Sequence, residues 1–225
     1  MTTTTLPIFP LGTVLFPGAQ LPLRIFEPRY RALIEDVLER PDGAREFGVV
    51  AIRSGVEVGV HGVQSLYEVG CIAEIRHIQP FTAGTFDVMT RGTRRFRMHR
   101  VHPPVADRAD RAEVELLTDA PTTRSRDLAE RATRLFRRYR RAVLEARGLD
   151  AASPFAVPDD PVACAFTISS VVALDLTDRQ RLLEADTLDG RLQLLVELLN
   201  RELALIGRLS TRAGEELARG PYSPN

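Results

Sequence analysis

The sequence predicts an α+β protein in which a β-rich N-terminal half precedes an all-helical C-terminal half. In the first 120 residues, short apolar runs alternate with a period of two, and glycines and prolines separate these runs. After Ala120–Thr123 the period changes to about 3.6, which is the period of an amphipathic helix. Several short strands around one helix favour a closed or half-closed antiparallel β-barrel, because closure removes exposed sheet edges.

Prolines and glycines divide the β-rich half into its elements. Prolines interrupt Leu6–Leu11 and Val14–Gly18, and proline donates no ladder hydrogen bond, so these runs are predicted as edge strands and tight turns. One short helix is predicted to begin at Pro28. Hairpin turns are predicted at Ala83–Gly84 and at Gly92. The other predicted strands are Gln20–Phe26, Phe47–Ile52, Leu66–Ile78, Phe86–Arg91, Phe96–Val101 and Ala112–Leu117.

Four helices are predicted in the second half. The first is amphipathic, the third is short and has Thr177 or Asp178 as its cap, and the last is apolar over most of its circumference. A helix of that kind must be covered on several sides, so we expect it at the centre of a helical bundle. The predicted spans are Arg124–Arg147, about Pro161–Leu174, Arg179–Ala185 and a long helix that begins near Asp186–Thr187.

These patterns predict a β-rich barrel over residues 1–120, a helical bundle over 121–211 and a flexible tail over 212–225. The hydrophobic share of 44% and the charged share of 27% are those of an ordinary globular protein. No run approaches the roughly 18 apolar residues of a membrane span, and the N-terminus lacks the pattern of a signal peptide. We therefore predict a cytoplasmic protein without a membrane segment.

The sequence contains no lysine, because all 30 basic residues are arginines. A P-loop needs a lysine for the terminal phosphates of its nucleotide, and a Ser–Lys dyad or a Schiff-base enzyme needs one for its chemistry. No GxSxG, HExxH or GxGxxG motif is present. We therefore predict no catalytic site and no cofactor. An enzyme whose site has no recognisable motif is an alternative, ranked after the two binding hypotheses given below.

Neither the cysteines nor the histidines form a metal-binding pattern. Cys71 and Cys164 lie far apart without CxxC spacing, so we expect two reduced thiols in the core. His99 and His102 lie three residues apart in a predicted strand, whose period of two sends them to opposite faces. No metal site is predicted.

The predicted helix Arg124–Arg147 is strongly basic. It has nine arginines and three acidic residues, a net charge of +6, while the rest of this neutral chain sums to −6. One hypothesis is an anionic partner, which could be nucleic acid, a phosphate-rich ligand or an acidic protein surface, with Arg134, Arg138 and Arg141 as candidate binding residues. The alternative is a solvated face whose arginines pair with acidic residues of neighbouring helices. The aromatic residues of this helix fall in its apolar stripe, where they cannot stack on bases.

Several blocks of the sequence resemble the N-terminal, substrate-binding domain of the ATP-dependent Lon protease. The densest block is Leu21–Tyr30, with the sequence LPLRIFEPRY, and Leu6–Leu11 and Val14–Gly18 precede it. The resemblance extends over about residues 6–210. Its further blocks are Tyr67–Ile75, Arg91–Arg97, Leu176–Glu184 and Arg191–Leu195.

The resemblance implies a PUA-like barrel followed by a helical bundle, which agrees with the periodicity. In that family an ATPase module and a Ser–Lys peptidase module follow this domain, and we expect neither here, because the sequence ends before them. The implied function is a non-catalytic module that binds polypeptide substrates or a partner protein. Leu15 and Phe16, near the barrel rim, are candidate partner-binding residues, with a place in the core as the alternative. RNA binding through helix 124–147 is the alternative function.

Overall fold

The computed structural model describes residues 3–41, 43–55, 63–80, 85–102, 108–150 and 152–218, with the backbone alone at 63–64 and 209–218. The β-rich half comes first and the helical half second, so the α+β prediction is confirmed. The strands are β1 (Thr3–Leu11), β2 (Gln20–Ile25), β3 (Glu46–Gly55), β4 (Val63–Leu66), β5 (Val69–Pro80), β6 (Phe86–His102) and β7 (Arg111–Leu116). The helices are α1 (Pro28–Leu38), α2 (Ser125–Ala146), α3 (Pro161–Val171), α4 (Leu176–Glu184) and α5 (Leu188–Ala218).

The strands form one sheet, and its pairings lead from β1 through β7, β6, β5 and β3 back to β1. The order is β1-β7-β6-β5-β3-β4, β2 pairs with β6, and β1 also pairs with β3. The pair β1–β3 is parallel, so the prediction of antiparallel pairing throughout is wrong there. Within β1, Thr3–Pro7 pairs with β7 and Ile8–Leu11 pairs with β3. The proline-containing run Leu6–Leu11 therefore joins two strands instead of ending the sheet.

Gly92 lies inside β6, so the prediction of a hairpin turn there is wrong. The two runs predicted as separate strands on either side of it form one strand of 17 residues. A Cβ atom on Gly92 would lie 2.2 Å from the carbonyl oxygen of Phe16. Glycine is needed at this position because the backbone of Phe16 approaches the strand closely. Close approach of another backbone is a common reason for glycine within a strand. The turn predicted at Ala83–Gly84 lies outside the described residues.

The two halves share an apolar core. The core of the helical half includes Val14, Phe16, Ala51 and Val69 from the β-rich half. Helix α5 packs against α2, α3 and α4, which confirms its predicted central place. Its inward leucines, at 192, 195 and 199, are fully buried.

Two helix ends differ from the sequence-based boundaries. Helix α4 begins earlier than predicted, with Asp175 as its cap, and the Asp175 side chain accepts a hydrogen bond from the Asp178 N–H at 2.8 Å. The prediction of Thr177 or Asp178 as the cap is therefore wrong. Helix α5 continues to Ala218, and residues 219–225 lie outside the described part of the chain. Among the described helices, none combines the length and the apolar character that a membrane span requires, and the cytoplasmic location stays a prediction.

Candidate functional site

The candidate residues Leu15 and Phe16 lie in the interior. Their exposed fractions are 4% and 0%, so the core alternative describes where the structure places them. The segment that contains them forms no strand and ends in the predicted turn, where Gly18 has a φ of 84°. Ala19 closes this turn by donating its N–H to the Phe16 carbonyl oxygen at 3.1 Å.

This segment, residues 12–19, lies between β6 and the helices and contacts both. On the strand side, the Gly18 N–H donates to the Gly92 carbonyl at 2.8 Å, and the Gly92 N–H donates to the Ala19 carbonyl at 2.9 Å. On the helical side, the Phe16 ring lies 6.4 Å from the Phe166 ring and 5.3 Å from the Arg179 guanidinium. The segment is therefore wedged between the two halves, which explains why its aromatic ring is buried.

A cleft of about 660 Å³ opens next to this wedge, between the β-rich and the helical half. Its lining is largely apolar and includes Pro17, Leu116, Leu117, Val162 and Phe166. Of these, Leu116 is 36% exposed. The exposed charged residues of the lining are Arg91, Arg94 and Asp160.

A buried charge cluster fixes the wall of the cleft. The Asp119 carboxylate accepts hydrogen bonds from Arg95 Nε at 3.0 Å and Arg95 Nη2 at 2.7 Å, and a third from Arg191 Nη1 at 2.5 Å. The side chains of the two arginines are 1% and 0% exposed. Because Arg95 lies on β6 and Arg191 on α5, this cluster joins the two halves of the molecule.

The last turn of α4 completes the cluster. Arg95 Nη1 donates to the carbonyls of Leu183 and Ala185, and Arg191 donates to those of Leu182 and Ala185. Carbonyls at a helix C-terminus carry a partial negative charge, which offsets the second guanidinium. Burial, followed by the charge of Arg95, lowers the pKa of Arg191 to about 10, although Asp119 opposes this shift. Arg191 is therefore still protonated at neutral pH.

Both cysteines of the chain are buried. Burial raises the pKa of the Cys71 and Cys164 thiols, which keeps both sulfurs protonated and weakly nucleophilic. Within the part of the chain that the structure describes, no group of three or more histidine, cysteine or acidic residues could hold a metal ion. The donors of Arg95 and Arg191 are engaged by protein acceptors, so these residues hold the cleft in shape.

Smaller cavities of about 500 and 220 Å³ lie beside β2, in the block LPLRIFEPRY. The strand β2 pairs only with β6 among the described strands, so its other edge faces away from the sheet. Pro22 and the exposed Arg24 lie on this strand, and prolines and charges are common devices that prevent an edge from pairing with another chain. This surface is therefore less suited to an added peptide strand than the larger cleft.

The candidate residues Arg134, Arg138 and Arg141 lie on the exposed face of α2, and none of them lines the cleft. The sequence-predicted candidates therefore fall at two separate places. Arg134 lies 3.8 Å from Glu130 of the same helix. The face is exposed to solvent, as the solvated-face alternative states, but among the described residues none of its arginines has the expected ion pair with a neighbouring helix.

Fold and cleft together define a two-part domain, with an apolar cleft between a strand circuit and a helical unit. The family model of the ATP-dependent protease La (LON) substrate-binding domain matches residues 5–201. The chain belongs to this family.

Similar proteins agree with this assignment. The chain is 30% identical over 209 residues to Lon protease 2 of Herpetosiphon aurantiacus and 27% identical over 206 residues to the Lon protease of Heliobacterium modesticaldum. These alignments cover 91% and 89% of this chain but only 25% and 24% of the two relatives, so the chain spans about a quarter of their length.

Solved structures show the same fold. A Lon N-terminal domain protein from Xanthomonas campestris aligns with a TM-score of 0.59 and 28% identity, over 86% of this chain and 98% of that one. The N-terminal domain of a Mycobacterium avium complex Lon protease aligns with a TM-score of 0.60 and 20% identity, over 88% and 98% of the two chains.

Proposed function

We propose that this protein is a non-catalytic polypeptide-binding module that holds an extended, largely apolar segment in the cleft between its two halves. The observation that carries this proposal is the cleft itself, which combines an apolar lining with exposed charged groups. Apolar grooves of this kind bind apolar side chains, while their polar rim satisfies the peptide backbone.

The family assignment supports the polypeptide as ligand, because the matched domain is named for substrate binding in a protease. We further propose that the protein binds without hydrolysis, that the closed strand circuit is a PUA-like barrel and that the subdomain boundary lies near residue 120. The lack of lysine and the protonated cysteines support the absence of catalysis.

The nucleic-acid alternative has weaker support. Its candidate residues on α2 are exposed, as RNA binding requires, but Phe136 and Tyr139 of the same helix are only 3% and 6% exposed. They therefore offer no platform on which bases could stack.

The test measures the binding of an uncharged, dansyl-labelled peptide of about twelve Leu, Phe, Ser and Gly residues, long enough to cross the cleft when extended. Leu116→Glu places a charge in the cleft, and we expect a loss of affinity of at least about tenfold because the charge must be desolvated on binding. The matched control is Leu205→Glu, which changes an exposed leucine on α5, outside the cleft lining.

Because the probe is neutral, its affinity should change little between about 0.05 and 0.5 M NaCl. Equal affinities of the Leu116→Glu and wild-type proteins would rule out the cleft as the binding site. An equal loss in the Leu205→Glu variant would do the same.

A further inference from the structure

One face of α2 carries a row of arginines, here named the arginine stripe. The spacing of its members by three or four residues places them on the same side of the helix, over a length of about 15 Å. All are exposed, while the opposite side of α2, with Ala132 and Phe136, is buried in the core. The stripe consists of Arg131, Arg134, Arg137, Arg138 and Arg141.

The charge of the stripe is not neutralised within the described part of the chain. Its only ion pair there joins Arg134 to Glu130, and both side chains are about two-thirds exposed. Like charges three and four residues apart repel each other and destabilise a helix. An anionic partner would relieve this repulsion, so the stripe attracts such a partner electrostatically.

The surroundings of the stripe favour an acidic polypeptide over a nucleic acid. The exposed Asp127, Glu130 and Glu145 lie at its two ends and would repel a phosphate chain that continued past it. A peptide helix of limited length can place its carboxylates between these acidic residues, whereas a nucleic acid carries phosphates along its whole length.

We infer that the arginine stripe binds an acidic helical segment of a partner protein. The segment carries carboxylates at helical spacing over about three turns. Arginine suits this role because its guanidinium forms paired hydrogen bonds with a carboxylate. The site is separate from the cleft, so this inference does not depend on the proposed function.

The test uses a labelled synthetic helix with glutamates at positions i, i+3, i+7 and i+10, measured by fluorescence anisotropy. We expect the variant Arg134→Glu/Arg138→Glu/Arg141→Glu to bind it at least about tenfold more weakly than the wild type at low salt. The control variant Arg100→Glu/Arg111→Glu/Arg208→Glu makes the same charge change at exposed arginines elsewhere and should bind normally. Circular dichroism confirms that both variants fold.

A charge-swapped peptide with lysines in place of the glutamates distinguishes a specific surface from general attraction. It should bind the stripe variant and not the wild type. The inference is overturned if the acidic peptide does not bind the wild type, or if the control variant loses as much affinity as the stripe variant. It is also overturned if single-stranded RNA of equal charge binds the stripe more tightly than the peptide does.

Discussion

Asp119 is the carboxylate on which two buried guanidinium groups converge. Its side chain is 9% exposed, and Arg95 and Arg191 each donate to it directly. The cost of burying two cations is offset by this carboxylate together with the carbonyls at the end of α4. The pairing therefore depends on the whole cluster, and removing its only carboxylate leaves two charges without an adequate counterion.

We predict that Asp119→Asn lowers the free energy of unfolding by about 3–5 kcal/mol, the usual effect of removing one partner of a buried ion pair. Urea denaturation followed by circular dichroism measures this quantity. The comparison is Asp87→Asn, which breaks the exposed pair with Arg24 and should change stability little. Similar, small effects of the two substitutions would show that the buried cluster does not hold the halves together.

Gly92 and Gly207 are glycines in regular structure whose surroundings differ. A Cβ on Gly92 would meet the Phe16 carbonyl at 2.2 Å, while a Cβ on Gly207 would meet nothing within 4 Å. We predict that Gly92→Ala destabilises the protein by about 1–3 kcal/mol through overpacking. Gly207→Ala should stabilise it by about 0.5–1 kcal/mol, because alanine is the better helix former. Thermal unfolding of both variants measures the two shifts, and a shift of the same sign in both would contradict this account.

The residue scale is also where sequence reasoning fell short. It proposed Leu15 and Phe16 as partner-binding residues, which the structure places in the core. It did not identify Arg95, Arg191 and Asp119 as a buried cluster. Arginines and aspartates are usually exposed, and Asp119 lies 24 residues from Arg95 and 72 residues from Arg191 in the chain, so no local pattern reveals the contacts. The only signal was the resemblance of the blocks around Arg95 and Arg191 to a known family.

At the scale of elements, Asp178 connects α4 to α5. Its carboxylate accepts from Arg181 Nη1 at 2.8 Å, within α4, and from Arg201 Nη1 at 2.6 Å, on α5. Burial raises the pKa of Asp178, but the hydrogen bonds and charges of Arg201 and Arg181 outweigh burial and leave the pKa below its ordinary value. The unfolded chain therefore binds this proton more readily than the folded one.

This difference predicts how the α4–α5 connection depends on pH. Its contribution is complete above the unfolded pKa of about 4 and is lost as the pH falls through the lower folded pKa. We predict that Asp178→Asn destabilises the protein at pH 7 and that the difference from the wild type narrows towards pH 3. Urea denaturation at the two pH values measures this difference. A gap of constant size would mean that the charge of Asp178 does not contribute.

Periodicity predicted the elements better than it predicted their ends. The helix predicted at Arg124–Arg147 is observed as α2, because its apolar residues repeat over six turns and must face the core. The predicted boundaries of the elements are wrong where a residue type occurs in more than one kind of structure. Gly92 was interpreted as a turn although it lies in a strand, and Asp175 was not identified as the cap of α4.

At the scale of the whole molecule, the two halves form one packed structure. Phe16 and Val69 of the β-rich half belong to the core of the helical half, and Arg95 connects β6 to the end of α4. The parallel pair β1–β3, which closes the strand circuit, joins residues about 40 positions apart and could not be deduced from local pattern. The cleft is also a product of this assembly, since its lining comes from both halves.

The most direct test of the account is hydrogen exchange on the intact protein, with and without the uncharged peptide. We predict slower exchange at residues 116–119 and 162–167, which line the cleft on its two sides, and unchanged exchange over the arginine stripe. Protection that is confined to α2, or that spares both segments of the cleft while the peptide is bound, would contradict it.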